Sequence, residues 1–243
     1  MQTLFYQANN WWFPVFRADL SDEFIDPNVS NGKWLTHNGY SGRPPGYVDP
    51  SMVRIGDGVA QLTVTEDASA GTYRTPLLES IGTLTYGYVE VRAKIDPTHL
   101  NQAFWLYRWT PEQAEEIDVF EIAPGVPGRE DGGVLNYHVI DNVTGEHIAA
   151  PVEVFAPGFD PTQYHTYALD WTPETLRWYV NGLLIREEPN LYFHDPLQLM
   201  LSSEVHASWL GLPTEDELPS TMEVDYVRVW EYQSGWGLWE GGA

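Results

Sequence analysis

The sequence predicts a nearly all-β fold, a two-sheet β-sandwich, and three observations carry that prediction. Apolar and polar residues alternate with period two in many short runs, and no window of eleven residues holds a convincing helical stripe. Asn181-Gly182 joins two of the runs with the dipeptide that a type I′ hairpin turn favours. Many strands at short spacing in one domain indicate two packed sheets, because each half-apolar face needs a second layer to cover it.

The runs follow one another along the whole chain. Residues 59–65 alternate first, and then Val89, Val91, Ala93 and Ile95 interleave with Tyr88, Glu90, Arg92 and Lys94, the pattern of a strand with one face in a core. Residues 134–140, 164–171, 176–180, 197–205 and 222–230 behave similarly. A brief helix is expected at residues 214–218. Pro and Gly are spread rather than pooled, no repeat of 20 to 50 residues is evident, and residues 1–243 read as one domain.

Composition narrows the class of partner. Lys plus Arg number 12 against 35 Asp plus Glu, a formal net charge of −23, and ten of the twelve cations are Arg. A nucleic-acid partner is not expected, since little on such a surface offsets phosphate repulsion. The acidic, Lys-poor balance suits a salty medium and equally an ordinary soluble acidic protein. There are no cysteines, so disulfides and thiolate chemistry are excluded. No apolar run approaches the roughly 18 residues of a membrane span. The first twenty residues hold one cation, Arg17, and are broken by Asn9 and Asn10, so a signal peptide is not expected in them.

The chemistry is concentrated in Glu115-Glu116-Ile117-Asp118-Val119-Phe120-Glu121. In a regular strand Glu116 and Asp118 share a face, whereas Glu121, an odd number of residues away, points into the core with Ile117 and Val119. An unpaired carboxylate there is costly. One extra residue, a β-bulge near Val119 or Phe120, returns Glu121 to the side of the other two acids. Retaining glycoside hydrolysis needs two carboxyls about 5 to 5.5 Å apart across the scissile bond. Four strand steps separate the outer Cα atoms by roughly 13 Å, so the two glutamates must lean toward each other. Glu116 is the expected nucleophile, Glu121 the acid/base kept protonated by nearby negative charge, and Asp118 the group that orients and tunes Glu116.

The bland alternative is a row of solvent-facing acids on an outer strand. The preceding run, from Ala103 to Trp109, weighs against it, because Trp105, Tyr107 and Trp109 share a face and offer flat surfaces for sugar C–H groups.

Glu116-Ile117-Asp118-Val119-Phe120-Glu121 resembles the bulged signature of glycoside hydrolase family 16, which includes agarases, porphyranases, kappa-carrageenases and laminarinases. Ser21-Asp22-Glu23-Phe24 with Lys33-Trp34, the stretch from Tyr86 to Arg92, Phe104-Trp105-Leu106, and the stretch from Val224 to Trp230 extend the resemblance in the family's order over about residues 18–232. It implies a β-jelly roll with a cleft on its concave sheet, and it gives Glu116, Asp118 and Glu121 the roles of nucleophile, helper and acid/base. The stretches from Gly42 to Tyr47 and from Gly211 to Leu218 are most similar to the agarase and porphyranase branch. That branch implies cleavage of β-1,4 bonds in red-algal galactans. A β-1,3-glucanase or a kappa-carrageenase of the same family is the alternative, and Ala114-Glu115 ahead of Glu116, where laminarinases commonly carry a Gly, weakens the glucanase reading.

The same resemblance implies a stacking role for Trp105, a cleft role for His138 and a substrate-binding role for Glu204. Trp109 and Trp209 are further candidate platforms, while Trp34 reads as core. Arg43 and Arg108 are candidates for telling sulfated porphyran from agarose, since a guanidinium matches a sulfate. No cofactor is expected for catalysis. A structural calcium with Asp225 among its ligands is a family possibility. The expected partner is the polysaccharide, the expected state a monomer, and the expected location extracellular or periplasmic, because an intact polymer does not enter a cell. A carbohydrate-binding jelly-roll protein without catalysis is the non-enzymatic alternative. The tail 233–243, with Trp236 and Trp239, lies outside the resemblance and has no assigned role.

Overall fold

In a computed structural model, residues 5–7, 10–37 and 39–234 are described. The strands are β1 (Phe5–Gln7), β2 (Asn10–Phe16), β3 (Trp34–Leu35), β4 (Gly46–Val48), β5 (Val53–Gly56), β6 (Val59–Asp67), β7 (Thr72–Thr75), β8 (Leu77–Leu84), β9 (Gly87–Lys94) and β10 (Asn101–Trp109). They continue with β11 (Gln113–Ile122), β12 (Gly132–Asp141), β13 (His147–Ala149), β14 (Val152–Phe155), β15 (His165–Trp171), β16 (Thr175–Val180), β17 (Leu183–Pro189), β18 (Leu197–Glu204) and β19 (Ser220–Ser234). They form two sheets. One runs β13-β12-β11-β10-β18-β8-β3 with β14 beside β12. The other runs β17-β16-β15-β9-β19-β6-β7-β4, with β2 beside β19 and β5 beside β6. Period-two patterning thus becomes a β-sandwich, because only two facing sheets can bury so many half-apolar strands.

One continuous core fills the space between the sheets. Phe104, Leu106, Ile117, Phe120, Leu199 and Leu201 of the first sheet meet Val89, Val91, Leu169, Trp171, Trp178 and Val227 of the second, all fully buried. Burying each such side chain contributes about 1.5–3 kcal/mol. Trp34 belongs to this core, and its indole donates to Asp22 Oδ2 at 3.1 Å. Asn181 and Gly182 have φ of 50° and 76°, the left-handed pair a type I′ turn requires, and they join β16 to β17.

The brief helix expected at 214–218 is a single 3₁₀ turn, Glu215–Glu217. Thr214 and Glu217 cap it reciprocally, and Pro213 and Pro219 leave no room for more. A second 3₁₀ turn, Pro50–Met52, and two one-turn helices, α1 (Pro27–Ser30) and α2 (Ala207–Leu210), complete the described secondary structure. No helix among the described residues is long and apolar enough to cross a membrane. The tail tryptophans Trp236 and Trp239 lie outside the described residues.

Candidate active site

The register between β10 and β11 decides which side chains meet. Tyr107 pairs with Glu116 and Trp105 with Asp118, but Phe104 pairs with Phe120, so Val119 is an extra residue. On the other edge Asp118 faces Asn136 and Glu121 faces Val134, again with one residue too many on β11. Val119 and Phe120 both turn into the core, 2% and 1% exposed, and Glu121 returns to the face of Glu116 and Asp118. The expected bulge is therefore present at the expected place. From the opposite sheet Trp178 donates its indole N–H to the Asp118 carbonyl at 2.9 Å, holding the backbone at the bulge from beneath.

Strand pairing brings further groups to the same face. Trp105 and Tyr107 lie with ring centroids 5.3 Å apart, and the Trp105 indole donates to Ser202 Oγ at 3.2 Å. Asn101 stands opposite Glu204 and donates from Nδ2 to Glu121 Oε1 at 2.9 Å. His138 stands opposite Glu116, with Nε2 3.9 Å from Glu116 Oε1 and 3.6 Å from Asp118 Oδ2. A cleft of about 740 Å³ opens over these residues, lined among others by Arg43, Glu116, Glu121, His138, His206 and Trp209. Arg43 Nε sits 3.9 Å from Glu204 Oε2, and Arg129 lies over the Trp209 ring at 5.0 Å.

Most of the candidates named from sequence thus meet on one face: Glu116, Asp118, Glu121, Trp105, His138, Glu204, Arg43 and Trp209. Trp109 shares that face at the end of β10, where it is 61% exposed. Arg108 does not join them. It is an odd step from Trp105 and Tyr107, so strand alternation turns it to the other face, where its Nη1 reaches Asp195 at 2.8 Å and Glu115 at 3.4 Å. A guanidinium held by two carboxylates on the far side has no path to a substrate in this cleft.

Asp225 is likewise committed, being ion-paired with Arg92. It belongs to no group of three metal-ligating side chains among the described residues. Glu116, Asp118 and His138 do offer one ligand atom each within 4.8 Å of one another. There, however, the nitrogen nearest the acids already accepts the Asn136 amide N–H at 2.8 Å.

Burial dominates the electrostatics. It is the first cause that pushes Glu116 up, to about 7, followed by the Glu121 charge; a hydrogen bond with Asp118 and the Arg43 charge oppose it. Asp118 is raised well above the usual carboxylate range by burial and then by Glu116 and Glu121. A hydrogen bond with Glu116 acts in the same direction, and Asp118 Oδ2 is buried with no hydrogen-bond partner among the described residues. Burial raises Glu121 too, against the pull of Asn101, Arg43 and Arg129. His138 is lowered to about 4 by burial and by His147. Two glutamates of raised proton affinity facing one cleft titrate as a pair and hold one proton between them over a range of pH. Such a pair can deliver a proton to one atom while presenting a carboxylate to another.

Sequence reasoning missed Asn136, Arg129, His147, His206 and Tyr40, whose hydroxyl donates to Glu204 Oε2 at 3.5 Å. Asn136 was legible as the residue two before His138 on the same strand face. The others come from loops or short edge strands whose positions no local pattern encodes.

The family model for beta-porphyranase A–D, GH16 domain, matches residues 15–232. The kappa-carrageenase of Pseudoalteromonas carrageenovora is 31% identical over 185 residues, which are 65% of this chain and 47% of that protein. The keratan-sulfate endo-1,4-beta-galactosidase of Sphingobacterium multivorum is 28% identical over 261 residues, 92% of this chain and 60% of that protein. This chain accordingly spans about half the length of such relatives. Beta-agarase A of Zobellia galactanivorans shares the fold with a TM-score of 0.82 at 19% identity, covering 91% of this chain and 93% of that one. Porphyranase B of the same organism gives 0.76 at 20% identity, with 93% and 95% covered. With the family match running through both sheets and across the bulged strand, the chain belongs to glycoside hydrolase family 16.

Proposed function

We propose that the protein is a retaining endo-glycoside hydrolase that cuts β-1,4 bonds in red-algal galactans of the agarose or porphyran type. The observation that carries the proposal is the bulge at Val119, which sets Glu116 and Glu121 on one face with the buried Asp118 between them. In the first step Glu116 attacks the anomeric carbon while Glu121 gives its proton to the departing oxygen, and a glycosyl ester on Glu116 forms. In the second step Glu121 takes a proton from water, the water oxygen attacks the anomeric carbon, and the ester bond to Glu116 breaks. Before substrate enters, the stronger upward push falls on Glu116. Positive charge developing at the anomeric carbon and the leaving oxygen against Glu121 favour the productive arrangement, with the proton on Glu121.

Several features support a galactan substrate. The matching model describes beta-porphyranases, and the solved structures of like fold include an agarase and a porphyranase. Trp105 and Trp209 are the proposed sugar platforms, and Glu204, whose Oε1 is buried without a partner among the described residues, suits a sugar hydroxyl. Arg43 and Arg129 give the Glu121 side of the cleft a cationic edge in a chain of net charge −23. That edge favours a substrate carrying sulfate. A polymer of this kind places the enzyme outside the cytoplasm, working as a monomer without a cofactor.

Reducing-end release from agarose, porphyran, kappa-carrageenan and laminarin, measured side by side with Glu116→Gln as control, tests the assignment. Release from porphyran or agarose that vanishes in the variant is expected. Release from laminarin alone would transfer the enzyme to β-glucans, and binding without release from any polymer would make it a binding protein.

The pH profile follows from the shared proton. Activity needs one proton on the glutamate pair, so it falls at low pH when both are protonated and at high pH when both are ionised. The alkaline limb of kcat/KM is expected near pH 7, the value toward which Glu116 is pushed. A limb near pH 9 would mean that another group supplies the proton.

A further inference from the structure

Beside the acids lies a second hydrogen-bonded chain, built from Asn136, His138 and His147, that the proposed chemistry does not use. The Tyr137 backbone N–H donates to Asn136 Oδ1 at 2.9 Å, which fixes the amide and turns its Nδ2 toward His138. That Nδ2 lies 2.8 Å from His138 Nε2, and an amide N–H can only donate, so Nε2 must be the unprotonated nitrogen. The ring hydrogen of neutral His138 then sits on Nδ1, 2.8 Å from His147 Nε2, which accepts it. The two rings lie 5.0 Å apart at an interplanar angle of 32°. His147 is held there by the edge strand β13, where it pairs with Ile140, two residues along β12 from His138.

The tautomer matters because of what Nε2 faces. The nitrogen is 3.6 Å from Asp118 Oδ2 and 3.9 Å from Glu116 Oε1, with its lone pair taken by the Asn136 amide. Without hydrogen it offers these carboxyls no donor, whereas an N–H there would stabilise their ionised forms.

We propose that His147 is a positioning residue: by accepting the Nδ1 hydrogen of His138 it keeps Nε2 free of hydrogen, so that the ring accepts from Asn136 and presents no N–H to Asp118 and Glu116. The inference rests on the glycosidase reading for its kinetic consequence, but the tautomer itself can be read without substrate. Besides Glu116, Asp118 and His138, the titratable and charged groups lining the cleft with His147 are Glu121 and Glu153, together with Arg43 and His206. Glu146 precedes His147 in sequence, and Arg129 is paired to Glu153 at 2.7 Å.

Long-range proton–nitrogen NMR of the histidine rings reads the tautomer in the full chain. The free protein is expected to show His138 with hydrogen on Nδ1, and His147→Phe, which removes the acceptor, to show loss of that single tautomer. The same variant is expected to lower kcat about tenfold with little change in KM and to move the alkaline limb to lower pH, as Asp118 and Glu116 become easier to ionise. His147→Gln, whose side-chain oxygen can accept the same hydrogen, is expected to restore the tautomer and most of the rate. Hydrogen on Nε2 in the wild type, or an unaltered tautomer in His147→Phe, would overturn the proposal. A correct tautomer shift in a protein inactive on every polymer would instead count against the enzymatic reading alone.

Discussion

Under the proposed retaining mechanism, Glu116→Ala is expected to lower kcat on the cognate polysaccharide by about 10⁴-fold or more, because the group that forms the covalent intermediate is removed. Added azide should restore turnover and yield the α-glycosyl azide, since a small anion can enter the space the carboxylate leaves and attack from the same side. Recovery of a β-azide would reverse the roles given to Glu116 and Glu121. Glu116→Gln should be equally inactive yet more stable in alkaline solution. The sign follows from the raised affinity of Glu116 for its proton, pushed to about 7 from the ordinary range near 4.5. Below that ordinary range the folded and unfolded chains both hold the proton, and the charge costs nothing. As pH rises toward and through 7 the unfolded chain has ionised and the folded one must follow, so stability falls. Removing the carboxylate avoids this, for about 1–3 kcal/mol at pH 8. Thermal melting of the two proteins at pH 4.5 and pH 8 measures it, and equal melting differences at both would refute the electrostatic account.

The second large effect is expected at Glu121. Glu121→Ala should lose about 10³-fold or more on the polysaccharide, where the departing sugar oxygen needs a proton, and much less on an aryl glycoside whose leaving group needs none. Azide should again restore turnover, now as the β-glycosyl azide, because it intercepts the ester already formed on Glu116. Equal losses on both substrates would assign Glu121 to binding rather than to proton transfer. Asn101, which donates to Glu121 Oε1 at 2.9 Å, aims the carboxyl.

How much of this was legible without coordinates depended on range. Strand periodicity named the elements that became β6, β9, β12, β15, β16, β18 and β19, because alternation is a local consequence of burying one face. Parity alone demanded a bulge between Asp118 and Glu121, since an unpaired carboxylate in the core was the costly alternative. The same parity turned Glu204 away from Leu201 and toward the acids, as the pairing of Asn101 with Glu204 shows.

Parity applied to β10 would also have excluded Arg108, the mirror of the rule that selected Trp105 and Tyr107. The reason it still looked attractive was chemical type rather than position. His147, Arg129 and Tyr40 were beyond the reach of any local rule. They stand on separate loops and a short edge strand, and only the folded chain brings His147 beside His138, Arg129 beside Glu121 and Tyr40 beside Glu204.

The sequence by itself determined the sandwich, the bulged strand and the three acids, because these follow from which face each residue must occupy. Only the tertiary structure decided the proton arrangement and the cleft walls. Burial around Glu116 and Asp118, the Arg43 and Arg129 charges beside Glu121, and the histidine pair behind Asp118 are sums over residues far apart in the chain. Such sums depend on distances in space, which strand alternation does not specify.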